Sequence, residues 1–143
     1  MPSTLSLKAM ESSHRFLQWI TRGRVGWRIA GMPVIELTTI GRHSGEPRAT
    51  MLTSPLRDGD AYVVVASRGG DDRHPAWFLN LRDNPHVEAV IEGRSRAPML
   101  ARVATAEERA RLWPIITKSY ANYAGYQRKT RREIPLVLIE PVE

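Results

Sequence analysis

The chain has 143 residues, no cysteine and a formal charge of +6, from 21 Lys and Arg against 15 Asp and Glu. That length suits one domain burying about two-thirds of its unfolded surface, and the missing cysteine excludes disulfides, thiolate metal sites and a cysteine nucleophile. The apolar runs are too short to span a bilayer and the N-terminus lacks the apolar core of a secretory signal, so a cytoplasmic protein is expected. The charge is unevenly placed: residues 1–33 hold Lys8, Arg15, Arg22, Arg24 and Arg28 against Glu11 alone. A basic patch can serve nucleic acid, an anionic lipid surface or an acidic ligand. With no helix-turn-helix, zinc-finger spacing or RNP-type aromatic motif to address bases, nucleic acid is not expected.

In chain order, residues 1–32 read as a basic amphipathic helix, with Phe16, Ile20 and Trp27 on one stripe and Arg15 and Arg22 beside it. Such a helix either packs on the domain or lies in a membrane interface, which would put the protein peripherally on the inner face of the cell membrane. Gly23, Gly26 and Gly31 end it before Pro33. Residues 33–143 form the single domain. Val34–Ile40 is a β-branched strand and Ala49–Leu56 its partner. Arg57–Asp60 is a hairpin turn, and Ala61–Ala66, almost wholly apolar, is a strand in mid-sheet. Pro75 takes the first position of a short helix with Trp77, Phe78 and Leu81 facing one way, ending near Asp83-Asn84-Pro85. His86–Ile91 and Arg96–Ala104 are strands joined by a hairpin at Glu92–Ser95. Thr105 and Glu108 form a capping box for a helix running towards Lys118, which Pro114 kinks or ends early. Tyr120, Tyr123 and Tyr126, three apart, share one side of a helical or turn-like segment, either as a site wall or as a packing stripe. Gln127–Glu133 is a charged connection and Ile134–Glu140 the closing strand.

Two loops carry the chemistry. In Gly41-Arg42-His43-Ser44-Gly45-Glu46-Pro47-Arg48 the glycines permit close backbone approach. There Arg42, Arg48 and a protonated His43 can converge on an oxyanion, with Ser44 donating as well. Ser67-Arg68-Gly69-Gly70, after the Ala61–Ala66 strand, repeats the combination of hydroxyl, guanidinium and glycines. Two such loops point to one long anionic ligand. The plainer alternative is a pair of turns with solvated arginines, because no Walker-type or dinucleotide fingerprint is present. His14, His43, His74 and His86 have no metal-ligand spacing, so no metal is expected.

Three motifs in order, Leu37–Arg48, Ala66–Gly70 and Pro75–Leu81, resemble the deazaflavin-dependent nitroreductase family, in its quinone reductase type. The likeness runs from about residue 14 to Ile134-Pro135-Leu136-Val137. It implies an α+β, mainly β fold, a split β-barrel of the FMN-binding kind with peripheral helices. It also implies an oxidoreductase that transfers hydride from reduced coenzyme F420 to a quinone or nitroaromatic acceptor, as monomer or homodimer. FMN ranks behind F420 as cofactor, and the alternative function is a flavin, deazaflavin or haem carrier without efficient turnover. By the resemblance Arg42, His43, Ser44, Arg48, Ala66, Ser67, Arg68, Gly69, Gly70, Ala76, Trp77 and Asn80 hold the cofactor, and Tyr120, Tyr123 and Tyr126 wall the acceptor. His43 stands where relatives commonly carry lysine or arginine, and Ala49–Leu56 departs from the usual Pro-Leu pattern beside the ring.

Overall fold

The computed structural model describes residues 28–142. The expected N-terminal helix, with its membrane-facing alternative, therefore lies outside the described residues except at its last positions. There the structure differs: Arg28–Ile29 is a strand, β1, paired antiparallel with the start of β2, Met32–Ile40. Positive φ at Ala30 and Gly31 closes a two-residue hairpin between them, the turn that twisted strands favour.

The other strands are β3 (Pro47–Thr53), β4 (Leu56–Asp58), β5 (Ala61–Val65), β6 (His86–Ile91), β7 (Ala97–Val103) and β8 (Leu136–Pro141). The helices are α1 (Ala76–Asp83), α2 (Ala106–Ser119) and α3 (Asn122–Arg128). All strand pairings are antiparallel, in the order β1-β2-β6-β7-β8-β5-β4, with β3 also paired to β2. Only Ser54 and Pro55 separate β3 from β4, so the two margins of the sheet are tied by a short bend and the sheet curls into a split β-barrel. Ser54 seals that bend: its N–H donates to Pro33 O at 3.1 Å and its buried hydroxyl to Val63 O at 2.7 Å. Ala49–Leu56, expected as one strand, breaks here because Pro55 has no N–H for a ladder.

Strand alternation divides the apolar side chains between two cores. Tyr62, Val64 and Ala66 join Ile35, Leu37, Phe78, Leu81, Val137 and Ile139 on one side, under α1. Ala61, Val63 and Val65 join Leu112, Ile116, Tyr123, Ile134, Leu136 and Leu138 on the other, under α2 and α3. Burial on both faces is why β5 reads as an unbroken apolar run.

Two local expectations are corrected, and of the two outcomes expected at Pro114 the early end is excluded. Pro75 is the residue before α1 rather than its first: its ψ of 150° is extended, and its carbonyl accepts from the N–H groups of Phe78 and Leu79. Pro114 does not end α2, which continues to Ser119. Ala110 and Pro114 both lie on the exposed face, where water can take the carbonyl that proline leaves unpaired. Arg57 and Asp58 belong to β4, so the hairpin turn is Gly59–Asp60 alone.

Candidate anion and cofactor site

Where β2 ends, Gly41 N–H donates to Glu46 O and Gly45 N–H to Gly41 O, both at 2.8 Å. A Cβ on Gly41 would come within 2.7 Å of Ser44 Oγ and 3.3 Å of the Glu46 carbonyl, so a side chain here would displace the Ser44 hydroxyl and crowd the turn. Ser44 Oγ accepts from Glu46 N–H at 3.1 Å and from Arg48 Nη2 at 3.4 Å, which leaves its hydroxyl hydrogen to donate outward. Arg42, His43, Ser44 and Arg48 are all exposed. One buried side chain holds this loop from behind. Asn80 Oδ1 accepts from Arg42 N–H at 3.1 Å and from Arg42 Nη1 at 2.9 Å, while Asn80 Nδ2 donates to the buried Thr39 Oγ1 at 3.1 Å.

The second loop leaves β5 through Ala66 and Ser67, both buried, to the half-buried Arg68, exposed Gly69 and buried Gly70. Successive φ values of 46°, 65° and 87° at Arg68, Gly69 and Gly70 put three residues in the left-handed region. Arg68 is there against its own steric preference. Gly70 has no room for a side chain, because a Cβ would meet Tyr126 O at 2.7 Å and Lys129 Cβ at 3.0 Å; α3 therefore packs directly on the loop. Arg68 Nε is buried with no hydrogen-bond partner among the described residues, and an unpaired buried donor costs about 1–3 kcal/mol unless a ligand pairs it.

Both loops are connected to α1. The first is fixed to it through Asn80, and Asp71 to Pro75 lead from the second into its N-terminus, about 6 Å along the axis from Asn80 at 1.5 Å per residue. Ala76 is exposed there, and Trp77 is half-buried, packed on the margin of the inner core with its ring at 82° to Phe78.

The tyrosines form a continuous row at the other side of the second loop. Edge-to-face contacts link Tyr120 to Tyr123 at 6.5 Å and Tyr123 to Tyr126 at 6.0 Å. Tyr123 is buried in the outer core and its hydroxyl faces Met32 Sδ at 3.8 Å; Tyr120 donates to Ala30 O at 3.3 Å. Burial raises the Tyr123 pKa, Thr53 hydrogen bonding pulls it down, and Tyr126 and Tyr120 push it up again. The net rise keeps this phenol protonated. Tyr126 is half-buried, and its hydroxyl has no partner among the described residues.

Residues outside the sequence assignment complete the site, foremost Arg132. Its Nε donates to Asp71 O at 2.8 Å, Nη1 to Ala66 O at 3.2 Å and Nη2 to Ser67 O at 2.8 Å, and Nη1 also lies 3.2 Å from His74 Nδ1. A guanidinium can only donate, so that imidazole nitrogen accepts and the ring proton sits on Nε2. Burial, then the charges of Arg132 and Arg82, lowers the His74 pKa and keeps the ring neutral. Gln127 secures Arg132 in turn, donating to its carbonyl at 2.7 Å and accepting from Arg109 and from Ile134 N–H. Beside the second loop Asp72, Arg128, Lys129, Thr130, Arg131 and Arg132 surround an open depression of about 520 Å³. No cluster of three or more His, Cys, Asp or Glu able to hold a metal occurs among the described residues.

Asn80 gives a test of this geometry. Asn80→Leu should lower stability by roughly 1–3 kcal/mol in chemical denaturation, because it leaves the Arg42 amide without its acceptor. Asn80→Asp keeps that acceptor and should cost less, yet its carboxylate would neutralise Arg42 and weaken binding of a phosphate-bearing ligand. Equal stability losses in the two variants would contradict the bonding described.

Known proteins resemble this chain along most of its length. A family model described as F420H(2)-dependent quinone reductase matches residues 12–141. The F420H(2)-dependent quinone reductase Rv1261c of Mycobacterium tuberculosis is 45% identical over 123 residues, covering 83% of this chain and 81% of that protein. Among solved structures, an F420-H2 dependent reductase (FDR-A) is 38% identical with a TM-score of 0.65, over 76% of this chain and 94% of that one. A structure described as a domain-swapped dimer is 35% identical with a TM-score of 0.66, over 92% and 96%. This chain belongs to the F420H(2)-dependent quinone reductase family.

Proposed function

We propose that the two loops form one anion cradle for the phosphate and acidic tail of F420, and that the tyrosine row walls the acceptor. The observation that carries this reading is Arg68, whose buried Nε lacks a partner among the described residues, in a loop of three left-handed residues. The residues present fit the cofactor. Ser44 retains a hydroxyl hydrogen to donate, Arg42 has guanidinium nitrogens beyond the one Asn80 engages, and Arg48 is anchored among the described residues by one 3.4 Å contact. Charge-assisted bonds from such groups to phosphate are the strong class. His43 is exposed in the same loop and makes no bond among the described residues.

Reduced F420 supplies a hydride when bound. This chain's part is to hold the tail at the loops, to exclude water with Trp77 and the inner-core margin, and to offer protons to the acceptor. A quinone that gains a hydride also needs one proton to become a hydroquinone. Tyr126 is the donor of choice, because the other two tyrosine hydroxyls are engaged at Ala30 and Met32. Nitroaromatics, whose oxygens gain similar charge, fit the same wall as alternative acceptors. A lipophilic quinone is also the reason to place the protein peripherally at the inner membrane face, through residues 1–27 that lie outside the described ones. No helix among the described residues is long and apolar enough to cross a membrane. A dimer through exchange of elements is proposed by analogy with the domain-swapped relative.

The test is F420 titration and steady-state oxidation of reduced F420 with menadione. Arg68→Ala should raise the F420 dissociation constant by about 10- to 100-fold, the value of roughly 1.5–3 kcal/mol for a hydrogen bond to a charged group. Tyr126→Phe should leave that constant alone and lower kcat and kcat/KM together by about tenfold or more. Unchanged binding in the first variant would remove the cradle, and unchanged turnover in the second would leave the tyrosines as packing only.

A further inference from the structure

The second loop presents a physical problem that its own sequence does not solve. Three successive left-handed residues, one of them arginine, persist only where surroundings over-determine them. Within the loop, Gly70 N–H donates to Ser67 O at 2.9 Å and Asp71 N–H to Arg68 O at 3.1 Å, two bonds at the margin of an open surface. The additional restraint comes from a residue more than sixty positions away. Arg132 takes Ala66 O and Ser67 O on the incoming side and Asp71 O on the outgoing side, so one planar fork pinches the neck of the loop. Its remaining contact, His74 Nδ1, ties the same guanidinium to the lead-in of α1.

We infer that Arg132 is a positioning residue for the cofactor anion: by holding both sides of the loop neck it fixes Arg68 in its left-handed conformation, with the guanidinium turned to the ligand. This inference rests on the function proposed above for Arg68. The fork geometry matters as well as the charge, because three carbonyls in different directions need the spread of a guanidinium, which a lysine ammonium on a flexible stem does not reproduce. Arg132 is itself held from behind, by Gln127 on its carbonyl and by Thr130 Oγ1 on its N–H at 3.3 Å.

The experiment uses the full chain with Arg132→Lys, Arg68→Ala and the double variant, and reads two quantities. The first is the F420 dissociation constant by fluorescence titration. Arg132→Lys, although it keeps the charge, should weaken binding at least tenfold. In the Arg68→Ala background the same change should add less than about threefold, because residues that act through one another are not additive. Full rescue by lysine, or additive losses, would overturn the positioning role. The second is amide hydrogen exchange without ligand, in which Gly70 and Asp71 should exchange at least tenfold faster in Arg132→Lys while β5 and β8 keep parent rates. Unchanged exchange at Gly70 and Asp71 would also overturn it. If the parent chain binds no F420, the proposed function falls and the exchange measurement alone decides the clamp.

Discussion

The site depends on the carboxamide of Asn80. It is buried, it is the only side chain that bonds both β2 and the first loop from α1 among the described residues, and both halves of its amide are used. Through it a short helix, which packing alone would leave free to slide on the inner core, is locked in register with Thr39 and with the backbone of Arg42. The second loop leads into the same helix through Asp71 to Pro75, where Arg132 bonds both the loop neck and His74. The first loop is thus held on α1 by a hydrogen-bonded network in low dielectric, where geometry is enforced because an unmade bond is costly.

The two loops of the proposed anion cradle are built differently. The first is exposed and braced on itself, with a tight turn in which a side chain at position 41 would displace the Ser44 hydroxyl. Its cations therefore approach a ligand from solvent and should feel salt. The second is strained and pinched at its neck, and it offers a buried nitrogen. Such a group supplies little to an empty protein and more to a loaded one, which is the behaviour expected of binding energy stored for a ligand.

The sequence made the loops legible because glycine, proline, serine and arginine at strand ends have direct conformational and chemical meanings. It also made the two-sided burial of β5 legible, since alternation disappears when both faces are covered. Arg132 was not legible. It lies among Arg128, Lys129 and Arg131 in a segment that reads as solvated charge, and only the fold brings one of these four to the loop neck. Asn80 was assigned through the family resemblance, since a lone asparagine in a helix carries no local signal. No early end follows Pro114, because the cost of a proline depends on whether the orphaned carbonyl meets water, which is a property of the face and not of the residue. The tyrosine spacing gave the shared side of the helix, but burial divides three equal residues into two hydroxyls engaged with β1–β2 neighbours and one without a partner among the described residues.

In the function proposed above the fold supplies orientation and charge, and F420 brings the hydride. The account stands or falls on where the cofactor's phosphate sits. A crystal structure of the chain with F420 bound measures this directly. The account places the phosphate within hydrogen-bond distance of Arg68 Nε and of donors in the 41–48 loop. A phosphate seated instead in the basic depression of Arg128, Lys129 and Arg131, with Arg68 Nε still unpaired, would contradict it.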